Sequence, residues 1–147
     1  MGTKSESAQH TLTLRFSSVS LAGARKVVCA ALQEAEQRGF HISVAVVDRA
    51  GELITLDRTD AAIGISPNVA QGKARTAALL QSPSKEFESF INGGMPSFLA
   101  TPGVTPLEGG VPLWLNGEVV GAVGVSGAHG ANDSLLADLA AAALSAE

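Results

Sequence analysis

Two pairs of apolar segments, each joined by a short turn, constrain the fold of this chain most strongly. In the first pair, the tripeptide RAG separates residues 41–48 (HISVAVVD) from residues 52–60 (ELITLDRTD). In the second pair, the dipeptide Asn116-Gly117 separates VPLWL from EVVGAVGVSG, and Asn-Gly favours the type I′ turn of a hairpin. A short turn joins only antiparallel strands. Both pairs are therefore predicted to be β-hairpins.

The first hairpin also carries a prediction of register and of burial. If Asp48 lies opposite Glu52, then Val46 faces Ile54, and the remaining pairs follow in the same register. The first strand is β-branched and almost continuously apolar. That pattern is typical of a strand that is covered on both faces.

Helix signals flank and separate the two hairpins. A helix is indicated by apolar residues at helical spacing, by Ser before the first turn, by Pro at the first helical position and by Gly after the last turn. The predicted helices are residues 20–38 ending at Gly39, residues 66–80 beginning with Ser66 as N-cap before Pro67, residues 82–90 beginning at Ser82-Pro83, and about 133–145 with Asn132 or Asp133 as N-cap.

The order of these elements predicts the fold class. Helices and hairpins do not alternate as parallel βαβ units do, so we predict an α/β (α+β) fold with an antiparallel sheet sandwiched between helices. A chain of 147 residues fits a single domain. We place that domain at residues 18–147, after an N-terminal tail over residues 1–17 in which TLTLRF (11–16) is compatible with a short strand. Residues 92–110 form a long irregular stretch, and such loops are often functional.

Composition and charge exclude several classes of protein. The formal net charge is −4 at pH 7, and no basic stripe is visible, which argues against a nucleic-acid partner. Cys29 is the single cysteine, so neither an internal disulfide nor a multi-thiolate zinc site is expected. No apolar run is long enough to span a membrane, and the first ten residues lack the apolar core of a signal peptide. We therefore expect a cytoplasmic protein without a membrane partner.

A glycine-rich segment, GAVGVSGAHGAND (121–133), allows two interpretations. Its glycines recur every third residue, which matches neither the dinucleotide-binding fingerprint nor the Walker A loop. The glycines either let a helix pack closely on a strand, or leave backbone N–H groups between Ser126 and Gly130 free to bind an anion at a helix start. Asp133 would compete with such an anion.

Five motifs together resemble one known family, and they occur in the order that the family shows. They are AVVDRAG (45–51), RTD (58–60), KARTA (73–77), GGVP (109–112) and GAVGVSG (121–127). The chain resembles the HbpS/GlcG family over residues 18 to 145. That family includes haem-degrading HbpS-like proteins and the C-terminal domain of PduO-type adenosyltransferases.

The resemblance implies a fold, an assembly and a class of ligand. It implies a profilin-like fold and a homo-oligomer, as a tetramer or an octamer. It also implies a small-molecule ligand, with haem or a corrinoid as the cofactor.

Five side chains are candidates for ligand binding. Arg58 either closes its hairpin with neighbouring aspartates or holds a carboxylate or propionate, because a guanidinium binds such groups bidentately. Lys73 lies in a helix among alanines and is either a solvated charge with a buried stem or a buried amine. Ser66 and Thr76 flank Lys73 on the same helix, and Ser126 opens the glycine-rich turn.

Three side chains are candidates for acid–base chemistry. Glu108 is the acid of the long irregular stretch and suits a general base if that loop covers a pocket. His129 is an acid–base group, an iron ligand or simply an exposed side chain. Asp133 follows it at the start of the last helix. Met95 either fills a gap or ligates haem iron, and no pair of histidines has a metal-ligand spacing, so no protein-only metal site is predicted.

Two functions remain open on the sequence, and a structural or regulatory role is a third. The first is a small-ligand-binding protein that holds haem or another tetrapyrrole at a subunit interface. The alternative is a cofactor-independent enzyme of isomerase, lyase or hydrolase type, acting by acid–base chemistry on a small carboxylate or phenolic metabolite. The sequence leaves open whether the chain is an enzyme.

Overall fold

The computed structural model describes residues 11–145 and shows one α+β domain in that range. Its elements, in chain order, are α1 (Leu21–Arg38), β1 (Ser43–Asp48), β2 (Leu53–Arg58), α2 (Ser66–Leu80), α3 (Lys85–Asn92), a 3₁₀ helix (Pro96–Ala100), β3 (Gly110–Leu115), β4 (Glu118–Ser126) and α4 (Gly130–Ala142). The first ten residues of the predicted tail lie outside the described residues.

The sheet has four antiparallel strands in the order β2-β1-β4-β3. The two central strands, β1 and β4, are buried along nearly their whole length. The predicted class, an antiparallel sheet between helices, is therefore confirmed, and so is the coverage of the first strand on both faces.

Helices cover the two faces of this sheet unequally. On one face, α1 and α4 pack over a larger core of valines, alanines, two leucines and an isoleucine. On the other, α2 lies over a smaller cluster that consists almost entirely of alanines. Glycine permits this close approach, since a Cβ on Gly124 would overlap the backbone oxygen of Ala70 and one on Gly110 would overlap that of Lys73. The packing interpretation of the glycines thus holds at Gly124.

The two hairpins differ in how well their sequences predict them. Asn116 and Gly117 have φ values of 52° and 79°, so the predicted type I′ turn is confirmed. In the first hairpin, the backbone N–H of Asp48 donates to the backbone oxygen of Glu52, as predicted for this pair. The predicted pairing of Val46 with Ile54 is wrong, because a β-bulge beside the turn shifts the register and Val46 pairs with Thr55.

No strand forms at residues 11–16, which corrects that expectation. The chain bonds to β4 further along, at Ser18 and Val19. Val120 of β4 appears in neither ladder, so its backbone oxygen is available to the segment before α1. Val19 donates its N–H to that oxygen over 2.8 Å.

The predicted bounds of α1 and α2 are confirmed, whereas α3 begins at Lys85 rather than Ser82 and α4 begins before residue 133. Gly39 ends α1 with a φ of 74°, as predicted. Ser66 is not the N-cap of α2: it lies inside the helix, and its hydroxyl donates to the backbone oxygen of Ile63. The last helix begins at Gly130, with His129 rather than Asn132 or Asp133 as the N-cap residue. Asp133 lies in the first turn of this helix, and its carboxylate accepts the N–H of Ala128, which precedes the helix.

Candidate functional site

A cleft of about 220 Å³ lies where β4 ends and α4 begins. Its buried end, called the floor here, is formed by Lys73, Ser126 and Asp133, and its exposed end, the mouth, carries His129. Glu108 also lines the cleft. The fold therefore brings five of the eight sequence-predicted site residues into one cavity.

Lys73 forms an ion pair with Asp133 at the floor of the cleft. Its Nζ donates to Asp133 Oδ2 and to the backbone oxygen of Val125, each over 2.9 Å. Of the two alternatives for Lys73, the buried amine is therefore correct, since only 3% of the residue is exposed. Gly109 leaves room for the ammonium group, because a Cβ there would lie 2.9 Å from Nζ.

Asp133 uses both of its carboxylate oxygens. While Oδ2 accepts from Lys73, Oδ1 accepts the N–H of Ala128 over 2.9 Å. Glu108 approaches the same helix start, with Oε1 at 3.4 Å from the position that a Cβ on Gly130 would take. Two carboxylates of the chain thus already face the N-terminus of α4, which disfavours the binding of an external anion there.

Glu108 is held in the cleft by contacts on both sides of it in the chain. Ser84, which is fully buried, donates to the backbone oxygen of Leu107 over 2.7 Å and accepts the N–H of Gly110 over 2.9 Å. Ser134 donates to Glu108 Oε2 over 2.6 Å. Sequence reasoning missed Ser84, because the neighbouring Ser82-Pro83 was interpreted as the start of the helix.

Ser126 and His129 are two of the polar side chains of the cleft that make no hydrogen bond within the described residues. Ser126 is 7% exposed, and within residues 11–145 its hydroxyl has no hydrogen-bond partner. His129 is exposed and has a φ of 70°, a left-handed conformation that few residues other than glycine adopt. Strained backbone of this kind is frequent at functional sites.

The other three predicted site residues lie outside the cleft. Ser66 is fully buried and bonds to the Ser43 hydroxyl over 2.8 Å. Thr76 accepts the N–H of Thr105 over 2.8 Å and so anchors the long loop to α2. Arg58 is exposed at the end of β2 and has no ion pair within the described part of the chain.

Glu88, Ile63 and Leu107 also line the cleft, and no sequence pattern indicates them. They come from α3 and from two loops that only the folded chain brings together. Met95, the other candidate iron contact, is exposed and does not line this cavity. Among residues 11–145, no three His, Cys, Asp or Glu side chains are grouped so that they could hold a metal ion. Across the same range, every helix is too short or too polar to span a membrane.

Comparison with known proteins links this architecture to relatives. A family model described as "Haem degrading protein HbpS-like" matches residues 19–142. Protein GlcG of Escherichia coli (strain K12) is 42% identical over 103 residues, which cover 70% of this chain and 77% of GlcG.

Two solved structures show the same fold. The crystal structure of Klebsiella pneumoniae protein ORFY superposes with a TM-score of 0.88 and 29% identity, covering 93% of this chain and 97% of ORFY. PduOC, crystallised in complex with haem, superposes with a TM-score of 0.77 and 26% identity, covering 86% of this chain and 94% of PduOC. The chain therefore belongs to the HbpS-like family.

Proposed function

We propose that this protein binds haem, with His129 as the iron ligand and a second copy of the chain covering the ring. The observation that carries the proposal is the exposed imidazole of His129 at the mouth of the cleft. The haem-degrading family model and the haem complex of PduOC support the choice of ligand.

The surroundings of His129 suit a flat apolar ring. Ile63 and Leu107 line the cleft and are 56% and 44% exposed, so they present apolar surface next to the imidazole. Histidine is a frequent axial ligand of haem iron. Bound haem would supply redox chemistry, and the protein would bind and orient the ring.

The size of the cleft supports a site shared between subunits. Pockets that bury most of a drug-sized ligand have volumes of roughly 300–1,000 Å³, whereas this cleft has about 220 Å³. One chain therefore covers only part of a haem, and a second surface has to cover the rest. Several large apolar side chains remain exposed, including Phe90, Leu99 and Trp114. Packing them between copies would remove them from water, which favours the homo-oligomer that we propose.

The propionates of haem would lie away from the floor of the cleft. Glu88, Glu108 and Asp133 line the cavity and would repel them. Arg58 is better suited to one propionate, because it is exposed and has no ion pair within residues 11–145. It pairs with Ser43, which in turn pairs with Ser126, so Arg58 lies at the same end of the sheet as the cleft.

A haemin titration of the purified protein tests this proposal. We expect a saturable change in the Soret band with at most one haem per chain, and light scattering should give the mass of an oligomer. A non-saturating response would overturn haem binding. Hydroxocobalamin is titrated in parallel, and saturable binding of the corrinoid without saturable binding of haemin would also overturn it.

A further inference from the structure

We infer that the floor of the cleft binds a small uncharged carbonyl compound and catalyses proton transfer at the carbon next to its carbonyl group. Lys73 and Ser126 donate hydrogen bonds to the carbonyl oxygen, and Glu108 takes the proton. This activity does not rest on haem binding, because the proposed haem ligand lies at the mouth.

Two hydrogen-bond donors at the floor, Lys73 and Ser126, are available to the oxygen of a ligand. A lysine ammonium group has three N–H donors, and Lys73 directs two of them to Val125 and Asp133. Ser126 is 7% exposed and lines the same cavity, and its hydroxyl has no partner within the described residues. The hydroxyl is accessible from the cleft, since no fully buried side-chain N or O atom among the described residues lacks a partner. A ligand oxygen between Nζ and Oγ would supply the partner that both donors lack.

The charge of the cleft restricts that oxygen to an uncharged ligand. Three carboxylates, those of Glu88, Glu108 and Asp133, line the cavity with one ammonium group, that of Lys73. A free carboxylate or phosphate would therefore be repelled, because like charges repel strongly where little water screens them. The volume of about 220 Å³ suits a small molecule.

Glu108 is placed to act as the base. The two bonds of Ser84 fix the backbone on either side of it, and Ser134 occupies only Oε2. Oε1 has no hydrogen bond within the described residues, so it is available to accept a proton.

The chemistry balances without a further reactant. Glu108 removes the proton, the C–H electron pair becomes a carbon–carbon double bond, and the carbonyl π pair moves to oxygen. Lys73 and Ser126 stabilise the resulting oxyanion, an effect typically worth about 10²–10³ in rate per donor. Return of the proton from Glu108 to the same carbon restores the carbonyl compound. In an α-hydroxy ketone, its return to the former carbonyl carbon, together with transfer of the hydroxyl proton to the former carbonyl oxygen, gives the isomer.

Proton exchange with solvent tests this inference on the haem-free protein. Acetone, acetaldehyde and hydroxyacetone are incubated in D₂O, and the loss of the signal of the protons next to the carbonyl is followed by ¹H NMR. We expect exchange of at least one probe to be at least tenfold faster than in buffer. Glu108→Gln and Ser126→Ala should each lower the enzymatic rate at least tenfold.

Matched controls separate catalysis from loss of folding. Glu86→Gln changes an exposed acid of α3 that does not line the cleft, and it should leave the exchange rate unchanged. Thermal melting should show that Glu108→Gln and Ser126→Ala remain folded. The inference is overturned if the folded wild-type protein exchanges none of the three probes faster than buffer, or if Glu108→Gln matches the wild type.

Discussion

Lys73 Nζ lies 2.9 Å from Asp133 Oδ2, so that an ion pair joins the middle of α2 to the first turn of α4. The side chains are 4% and 3% exposed. The same ammonium group also binds the backbone of β4 at Val125. Three elements therefore meet at one buried charge, and the geometry of the cleft depends on that contact.

Removing one partner of this pair should strongly destabilise the fold. Asp133→Ala leaves the Lys73 ammonium buried without a counter-charge, and such changes cost about 3–5 kcal/mol. Urea denaturation of the variant should show a free energy of unfolding lower by that amount.

Two further variants complete this test. Asp138→Ala removes an exposed carboxylate from the same helix and should change the free energy of unfolding by less than about 0.5 kcal/mol. The double variant Lys73→Met/Asp133→Leu should recover most of the loss, because it leaves no charge buried. Equal effects of Asp133→Ala and Asp138→Ala would refute the account of the ion pair.

Gly124→Ala should destabilise the contact between α2 and the sheet. The added methyl group would overlap the backbone oxygen of Ala70 and lie 2.6 Å from the backbone nitrogen of Ala74. Overpacking of a core typically costs about 1–3 kcal/mol, measured by urea denaturation. Gly64→Ala is the control, since nothing lies within 4 Å of its Cβ position. A cost at Gly124 no larger than at Gly64 would contradict close packing.

Ser84→Ala should loosen the loop that carries Glu108. The change leaves the Gly110 N–H, whose bond to Ser84 is buried, without this partner, and an unsatisfied buried group costs about 1–3 kcal/mol. We expect faster amide hydrogen exchange at Gly110 and a lower free energy of unfolding. Ser89→Ala, at an exposed position of α3, should do neither. Unchanged exchange at Gly110 would show that Ser84 does not hold the loop.

Local signals predicted most of the fold because they depend on neighbouring residues. Asn116-Gly117 specifies its own turn, and Gly39 ends its own helix with a positive φ. The predicted register of the first hairpin is wrong because a bulge depends on how a strand fits the strands beside it. Ser66 is not an N-cap because it lies inside the helix, where its hydroxyl bonds both to Ile63 and to the distant Ser43.

The site was less predictable than the fold, since it depends on contacts between distant residues. Lys73 and Asp133 are 60 positions apart, and neither spacing nor local pattern indicates that they pair. Glu108 and His129 are predictable from local sequence, since the first is the acid of the long irregular stretch and the second lies in a glycine-rich turn. The cleft also needed Ser84 to hold the loop, and nothing in the sequence distinguishes that serine from its neighbours.

The central claim, haem ligation by His129, is tested most directly by comparing His129→Ala with His41→Ala in haemin titrations. Both residues are exposed histidines, and His41 does not line the cleft. The account predicts that His129→Ala shifts the Soret band of the complex and raises the Kd at least tenfold, or about 1.4 kcal/mol, whereas His41→Ala binds haemin as the wild type does. An unchanged Soret band and Kd in His129→Ala would contradict it.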